Sequence, residues 1–139
     1  MYNSDNPHVV NVLDWKGEGF QPLVEFGDWA VALMNWEARF DLSQVGDLER
    51  HNQTDEVFVL IRGRSLLFVV GEQGLQVHDM LPGALYNVTR ATWHNVIGTR
   101  ETTWLIVESR GTTQENTDHR RLTEGELALL QGQYPTWLK

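Results

Sequence analysis

Short apolar runs separated by glycine, proline and charged residues make up most of this chain, and the longest of them alternates. From Trp29 to Phe40, the residues Ala32, Met34, Trp36, Ala38 and Phe40 share one face of an extended chain, and Asn35, Glu37 and Arg39 share the other. That two-residue period predicts a long half-buried strand over 29–40. Glu56 to Ile61 and Ser65 to Val70 are β-branched or aromatic runs on either side of Arg62-Gly63-Arg64, a pattern that predicts an antiparallel hairpin. Gly71 to Gly74 turns into a strand over Leu75 to Met80, and Leu81-Pro82-Gly83 turns into Ala84 to Val88. Trp93 to Ile97 and Thr102 to Glu108 form a last predicted pair, joined around Gly98 to Glu101. Val9 to Trp15 is a further β-like segment before a turn at Lys16 to Gly19, and Asp41 to Leu48 reads as a loop. Many short strands with regular turn signals predict an all-β barrel or double-layered sandwich.

The tail has a different texture. Arg110 to Asp118 is polar and threonine-rich with no core pattern. Thr123 and Glu126 then form a capping box, which predicts a short helix over 123–130. So short a helix is marginal alone and needs tertiary contact, which Leu127, Leu129, Leu130, Tyr134, Trp137 and Leu138 are suited to supply.

With 139 residues the chain is expected to be one domain over 1–139, its barrel core at about 29–109 and an extension over 110–139. The net charge of −8 argues against a nucleic-acid partner, because phosphate binding needs clustered Lys and Arg. There is no cysteine, hence no disulfide scaffold and no thiolate chemistry. The first residues lack a basic region followed by an apolar stretch, and no apolar run approaches the ~20 residues of a membrane span. A cytoplasmic protein without a membrane partner is the expectation.

Candidate chemistry centres on two stretches. Glu49 and His51 are two apart, so on a strand they point to one face, while Glu56 opens the next strand and His94 lies near the start of a later one. Two imidazoles and two carboxylates converging inside a β structure suit a divalent metal. Each residue also has a plainer role open to it. A histidine can simply be hydrogen-bonded, Glu56 can pair with an arginine, and Glu49 can be solvated beside Arg50. Trp36, Tyr86, Trp93 and Trp104 lie on predicted strands, where they fill a core or line a pocket. Arg39 can clamp a substrate carboxylate or pair with Glu37 or Asp41.

The same residues resemble the two motifs of the cupin superfamily, G-x5-H-x-H-x(3,4)-E-x6-G and G-x5-P-x-G-x2-H-x3-N. From Glu49 the chain reads E-x-H-x4-E-x6-G through Gly63, and Gly83 is followed at the motif spacing by Thr89, Ala91 and His94. It departs from the pattern at Glu49, which stands for the first histidine, at the missing leading glycine, at Thr89 for proline, Ala91 for glycine and Gly98 for the closing asparagine. The resemblance spans roughly 31–107, and the wider sequence looks like small single-domain bacterial cupins of the cupin-2 kind. It implies a cupin double-stranded β-helix, or jelly-roll barrel, with a short C-terminal helix added. It places Glu49, His51, Glu56 and His94 at the four ligand positions of a divalent ion, Mn, Fe, Ni or Zn. It also implies a small polar ligand such as a sugar or organic acid, and a homodimer. Whether such a barrel acts as a metal-dependent enzyme or as a non-catalytic binding module with a vestigial site stays open at this level.

Overall fold

The computed structural model describes residues 7–138. Ten strands, counted among those residues, form two five-stranded antiparallel sheets. The strands are β1 Gly19–Phe26, β2 Trp29–Asn35, β3 Asp47–His51, β4 Glu56–Arg62, β5 Ser65–Gly71, β6 Gly74–Asp79, β7 Leu85–Val88, β8 Trp93–Gly98, β9 Thr103–Ser109 and β10 Thr117–Arg121. The first sheet runs β1-β2-β9-β4-β7 and the second β10-β3-β8-β5-β6. This is the jelly-roll barrel expected from the sequence, with one short α-helix, α1 (Glu124–Gly132), after it. Among the described residues no helix is long and apolar enough to cross a membrane.

Alternation builds the interior. Ala32 and Met34 from β2, Phe58 and Leu60 from β4, Leu67 from β5, Val96 from β8 and Trp104 and Ile106 from β9 meet between the sheets. A second cluster, Leu48, Leu66, Phe68, Ile97 and Leu130, lies on the outer face of the second sheet beneath α1. β5 is therefore buried on both faces, which is why its run is continuously apolar. Leu130 is fully buried in that cluster, and the Trp137 indole N–H donates to Asp79 at 3.2 Å. The capping box at Thr123 and Glu126 is present.

Several expectations need correction. β4 and β5 do not form a hairpin: β4 pairs with β7 and β9, and β5 pairs with β6 and β8. The turn at Gly63 instead carries the chain from one sheet to the other. Gly63 has φ +81°, and a Cβ there would sit 2.6 Å from the Thr102 Cα, so the position needs both left-handed geometry and the absence of a side chain. β8 and β9 are likewise split between the sheets, although they are consecutive. The true local hairpins include β1–β2 and β5–β6.

The strand expected over 29–40 ends at Asn35, and Ala38–Phe40 is a 3-10 turn. Phe40 still reaches the core, edge-on to Trp104 at 5.1 Å between ring centroids. Val9 to Trp15 forms no strand. The sheets extend past 29–109 to Gly19 and Arg121, because β1 and β10 pair with β2 and β3. β1 carries Pro22 beside a register shift on an edge, where a missing N–H is tolerated. β10 is polar and short, so its sequence lacks an apolar signature.

Ala91 stands at the motif glycine position and adopts φ 60°. Its N–H donates to the His51 carbonyl at 2.8 Å, tying the turn before β8 to β3. An L-residue held left-handed costs roughly 1–2 kcal/mol, against roughly 0.5–1 kcal/mol for the greater unfolded freedom of glycine. Ala91→Gly is therefore expected to stabilise the protein by about 0.5–1 kcal/mol. Urea unfolding with an unchanged or lower midpoint would contradict that account.

Candidate metal centre

Each inward-facing site residue is placed by the same alternation that makes the core. On β3, Leu48 goes outward under α1, so Glu49 and His51 go inward. On β4, Glu56 shares a face with Phe58 and Leu60, and on β8 His94 shares one with Val96. Register then brings them level. Glu49 is opposite His94 in the second sheet, and Glu56 is opposite Glu108 in the first.

Ligand atoms of Glu49, His51, Glu56 and His94 all lie within 4.8 Å of one another. His94 Nε2 is 2.9 Å from Glu56 Oε1, and His51 Nε2 is 3.4 Å from the same oxygen. Glu49 Oε1 is 3.7 Å from His51 Nε2 and 3.8 Å from His94 Nε2. Both rings are held from behind. His94 Nδ1 donates to the Thr92 carbonyl at 2.8 Å, and His51 Nδ1 lies 2.9 Å from the Thr117 hydroxyl. Such outer contacts fix ring orientation and leave Nε2 aimed at the centre.

Charge dominates the electrostatics. Burial alone would raise the Glu56 carboxyl, but the facing His51 and His94 imidazoles, the latter hydrogen-bonded to it at 2.9 Å, outweigh it and hold it well below the usual carboxylate range. Burial opposes charge on His94, yet the Glu56 carboxylate raises it above its ordinary value. Glu108 goes the other way: burial, together with the hydrogen bond and charge of Glu56, pushes it up to about 9. Two carboxylates directly opposite in a sheet repel unless a proton or cation sits between them.

A cavity of about 290 Å³ opens above the cluster. Phe20, Met34, Phe58 and Ile106 form apolar walls, and Arg39, Gln114 and His119 stand among its polar groups. Arg39 lines it but also makes a close ion pair with Glu37. The other four residues considered for this pocket are elsewhere. Trp104 is fully buried, its N–H donating to Ser65 Oγ at 2.9 Å. Trp36 packs against the core with the Arg100 guanidinium 5.4 Å from its ring. Trp93 precedes an inward histidine and so points out, flanked by Arg50 and Arg120 at 4.5 and 5.2 Å. Tyr86 lines a different cleft at β5, β6 and β7 and accepts a hydrogen bond from the Leu81 N–H at 2.8 Å.

Glu108 and Thr117 were not anticipated. Glu108 carried a legible signal, since Trp104, Ile106 and Glu108 alternate onto one face of β9. Thr117 carried none, because the pairing of polar β10 with β3 is a long-range event.

No family model matches the chain, and neither does any curated protein. Solved structures do. A Bacillus halodurans protein superposes with a TM-score of 0.57 at 23% identity, covering 76% of this chain and 83% of that one. A cupin-2 domain containing protein from Shewanella frigidimarina gives 0.51 at 18% identity, over 69% and 85% of the two chains. A variant of Streptomyces PAC13 solved with uridine gives 0.55 at 12%, over 81% and 88%. At such identities the likeness speaks for the fold, and the chain has the cupin fold.

The raised His94 value makes a pH prediction. A group raised on folding contributes stability that is complete below its ordinary value of 6.5 and is lost as pH rises through its folded value. In chelator-treated protein, an NMR titration is expected to place the His94 midpoint above 6.5, and Glu56→Gln to lower it. A midpoint at or below 6.5 in the unsubstituted protein would contradict the Glu56 pairing.

Proposed function

We propose that this protein is a cupin that binds a divalent metal ion through His51, His94, Glu56 and Glu49 and admits a small polar metabolite, a sugar or organic acid, to the cavity above it. The observation that carries the reading is His51 Nε2. It is buried and without a hydrogen-bond partner among the described residues, while its ring is fixed by Thr117 so that it points into the cluster. An orphaned imidazole nitrogen beside carboxylates is a donor set awaiting a cation. The mixed nitrogen and oxygen donors suit Mn, Fe, Ni or Zn.

When bound, the ion would supply Lewis-acid polarisation of a substrate carbonyl or hydroxyl. The chain's own residues do the rest. Thr117 and Thr92 hold the two rings, Phe58 and Ile106 line the cavity with apolar surface, and Arg39 offers a forked donor to a polar or anionic group entering it. The Streptomyces protein of the same fold was solved with uridine, which supports a small polar ligand here. A metal-dependent enzyme is one form of this reading. A non-catalytic, metal-free binding module is the second reading, supported by the 2.9 Å hydrogen bond that already satisfies His94 Nε2 and Glu56. We place the protein in the cytoplasm in either case.

Elemental analysis of untagged protein, after reconstitution with Mn, Fe, Ni or Zn, is expected to find one ion per chain. His51→Ala combined with His94→Ala should abolish binding, because only carboxylates remain. No stoichiometric metal in the unsubstituted protein would favour the metal-free module.

The homodimer belongs to the same proposal. One outward row of the first sheet is Leu33, Leu105, Val59 and Leu85, each opposite the next, and Leu85 is 75% exposed. An apolar row of this kind is a natural contact for a second copy. The mass in solution is expected to be twice the 16.0 kDa of the chain. Val59→Arg with Leu85→Arg should halve it, and a monomeric unsubstituted protein would sink the idea.

A further inference from the structure

The barrel sets one more carboxylate against the cluster than the motif spacing accounts for. Glu108 is opposite Glu56 in the β4–β9 register, and its Oε2 is buried with no hydrogen-bond partner among the described residues. That oxygen lies 3.9 Å from His51 Nε2, the other orphaned atom of the cluster. The His51 side chain is only 9% exposed. Around its Nε2 stand oxygens of three residues, Glu56 at 3.4 Å, Glu49 at 3.7 Å and Glu108 at 3.9 Å.

These spacings have a simple reading. Two donors about 2.1 Å from one ion are separated by about 3.0 Å when adjacent and about 4.2 Å when opposite in an octahedron. All three separations fall inside that window. They exceed the 2.7–3.2 Å of direct hydrogen bonds to nitrogen. A proton shared by Glu56 and Glu108 would satisfy that pair and leave His51 Nε2 bare. A cation beside His51 Nε2 would satisfy that atom together with the Glu108 oxygen 3.9 Å from it.

We infer that Glu108 is a further ligand residue of the proposed centre, which then offers two imidazoles and three carboxylates and accepts a hard, six-coordinate ion such as Mn²⁺ more readily than a tetrahedral site would. The inference rests on the metal-binding reading above. It makes Glu108 a contributor to ion choice: oxygen-rich octahedral sets suit Mn, whereas Zn settles for four donors. Losing Glu108 therefore penalises Mn²⁺ more than Zn²⁺.

The test is equilibrium dialysis of the full chain against Mn²⁺ and Zn²⁺, with the unsubstituted protein and Glu108→Gln. The substitution is expected to weaken Mn²⁺ binding roughly 10–100-fold, and Zn²⁺ binding less, by analogy with loss of groups around metal sites. The electron paramagnetic resonance spectrum of bound Mn²⁺ should change with it. Unsubstituted protein that binds metal, with a Glu108→Gln variant of equal Mn²⁺ affinity and identical spectrum, overturns the role of Glu108 alone. Unsubstituted protein that binds neither ion overturns the metal reading and this inference together. A Mn²⁺-soaked crystal of the unsubstituted protein decides the matter without any variant: a Glu108 oxygen at about 2.2 Å from the ion supports the inference. An ion held by the other four residues, with Glu108 turned away, rejects it.

Discussion

Three carboxylates crowded into the interior of a barrel are the constraint around which the rest of this structure is arranged. Glu56 and Glu108 face each other across β4 and β9, and Glu49 approaches from the other sheet. Burial makes repulsion between charged carboxylates strong, because few water dipoles remain to screen it, and burial together with this repulsion pushes Glu108 up to about 9. The fold answers with two imidazoles whose far nitrogens are fixed by Thr117 and by the Thr92 carbonyl. The compensation is incomplete: among the described residues Glu108 Oε2 and His51 Nε2 have no hydrogen-bond partner. A well-packed protein rarely leaves two such atoms side by side unless a ligand completes them.

That arrangement depends on the chain leaving one sheet for the other at the right places. Glu56 and Glu108 come from the first sheet, and Glu49, His51 and His94 from the second. They meet because the chain passes between the sheets at β3 to β4, at β4 to β5 and at β8 to β9, among other crossings. Gly63 packed under Thr102 makes one of those crossings. The left-handed turn at Ala91 makes a related adjustment. It anchors the approach to β8 on the His51 carbonyl, so the strand carrying one histidine is bonded to the strand carrying the other. Backbone geometry and site geometry are therefore one problem, and a strained alanine is tolerated where the motif has glycine.

What could be read in the sequence follows from the range of each interaction. Local alternation placed most strands and the inward set Glu49, His51, Glu56 and His94, because a two-residue period acts within one strand. The capping box of α1 was legible for the same reason. Partner choice was not. The Arg62-Gly63-Arg64 turn looks identical whether the next strand returns beside its predecessor or crosses to the facing sheet, and the hairpin expectation failed there. β1 was hidden by Pro22 and β10 by its polar residues, since their pairing with β2 and β3 is decided by contacts distant in sequence. Tryptophans were the weakest guide. Trp93 is bound to point away once His94 points in, and Trp104 fills the core, so aromatic content marked packing rather than a pocket.

The replacement of the motif's first histidine by Glu49 has a consequence for the proposed ligand. Each carboxylate donor cancels part of a divalent charge, so a centre with two or three of them leaves the ion a weaker Lewis acid and a poorer magnet for anions. An organic acid entering the cavity would meet a floor that is nearly neutral or negative, with Arg39 as its compensating group, and Arg39 is already paired with Glu37. A neutral polyhydroxylated molecule has no such conflict. Its hydroxyls can occupy coordination positions on the ion and accept from Arg39, while its ring faces rest on Phe58 and Ile106. Within the proposed function, the balance of charge therefore favours a sugar-like ligand over an acid.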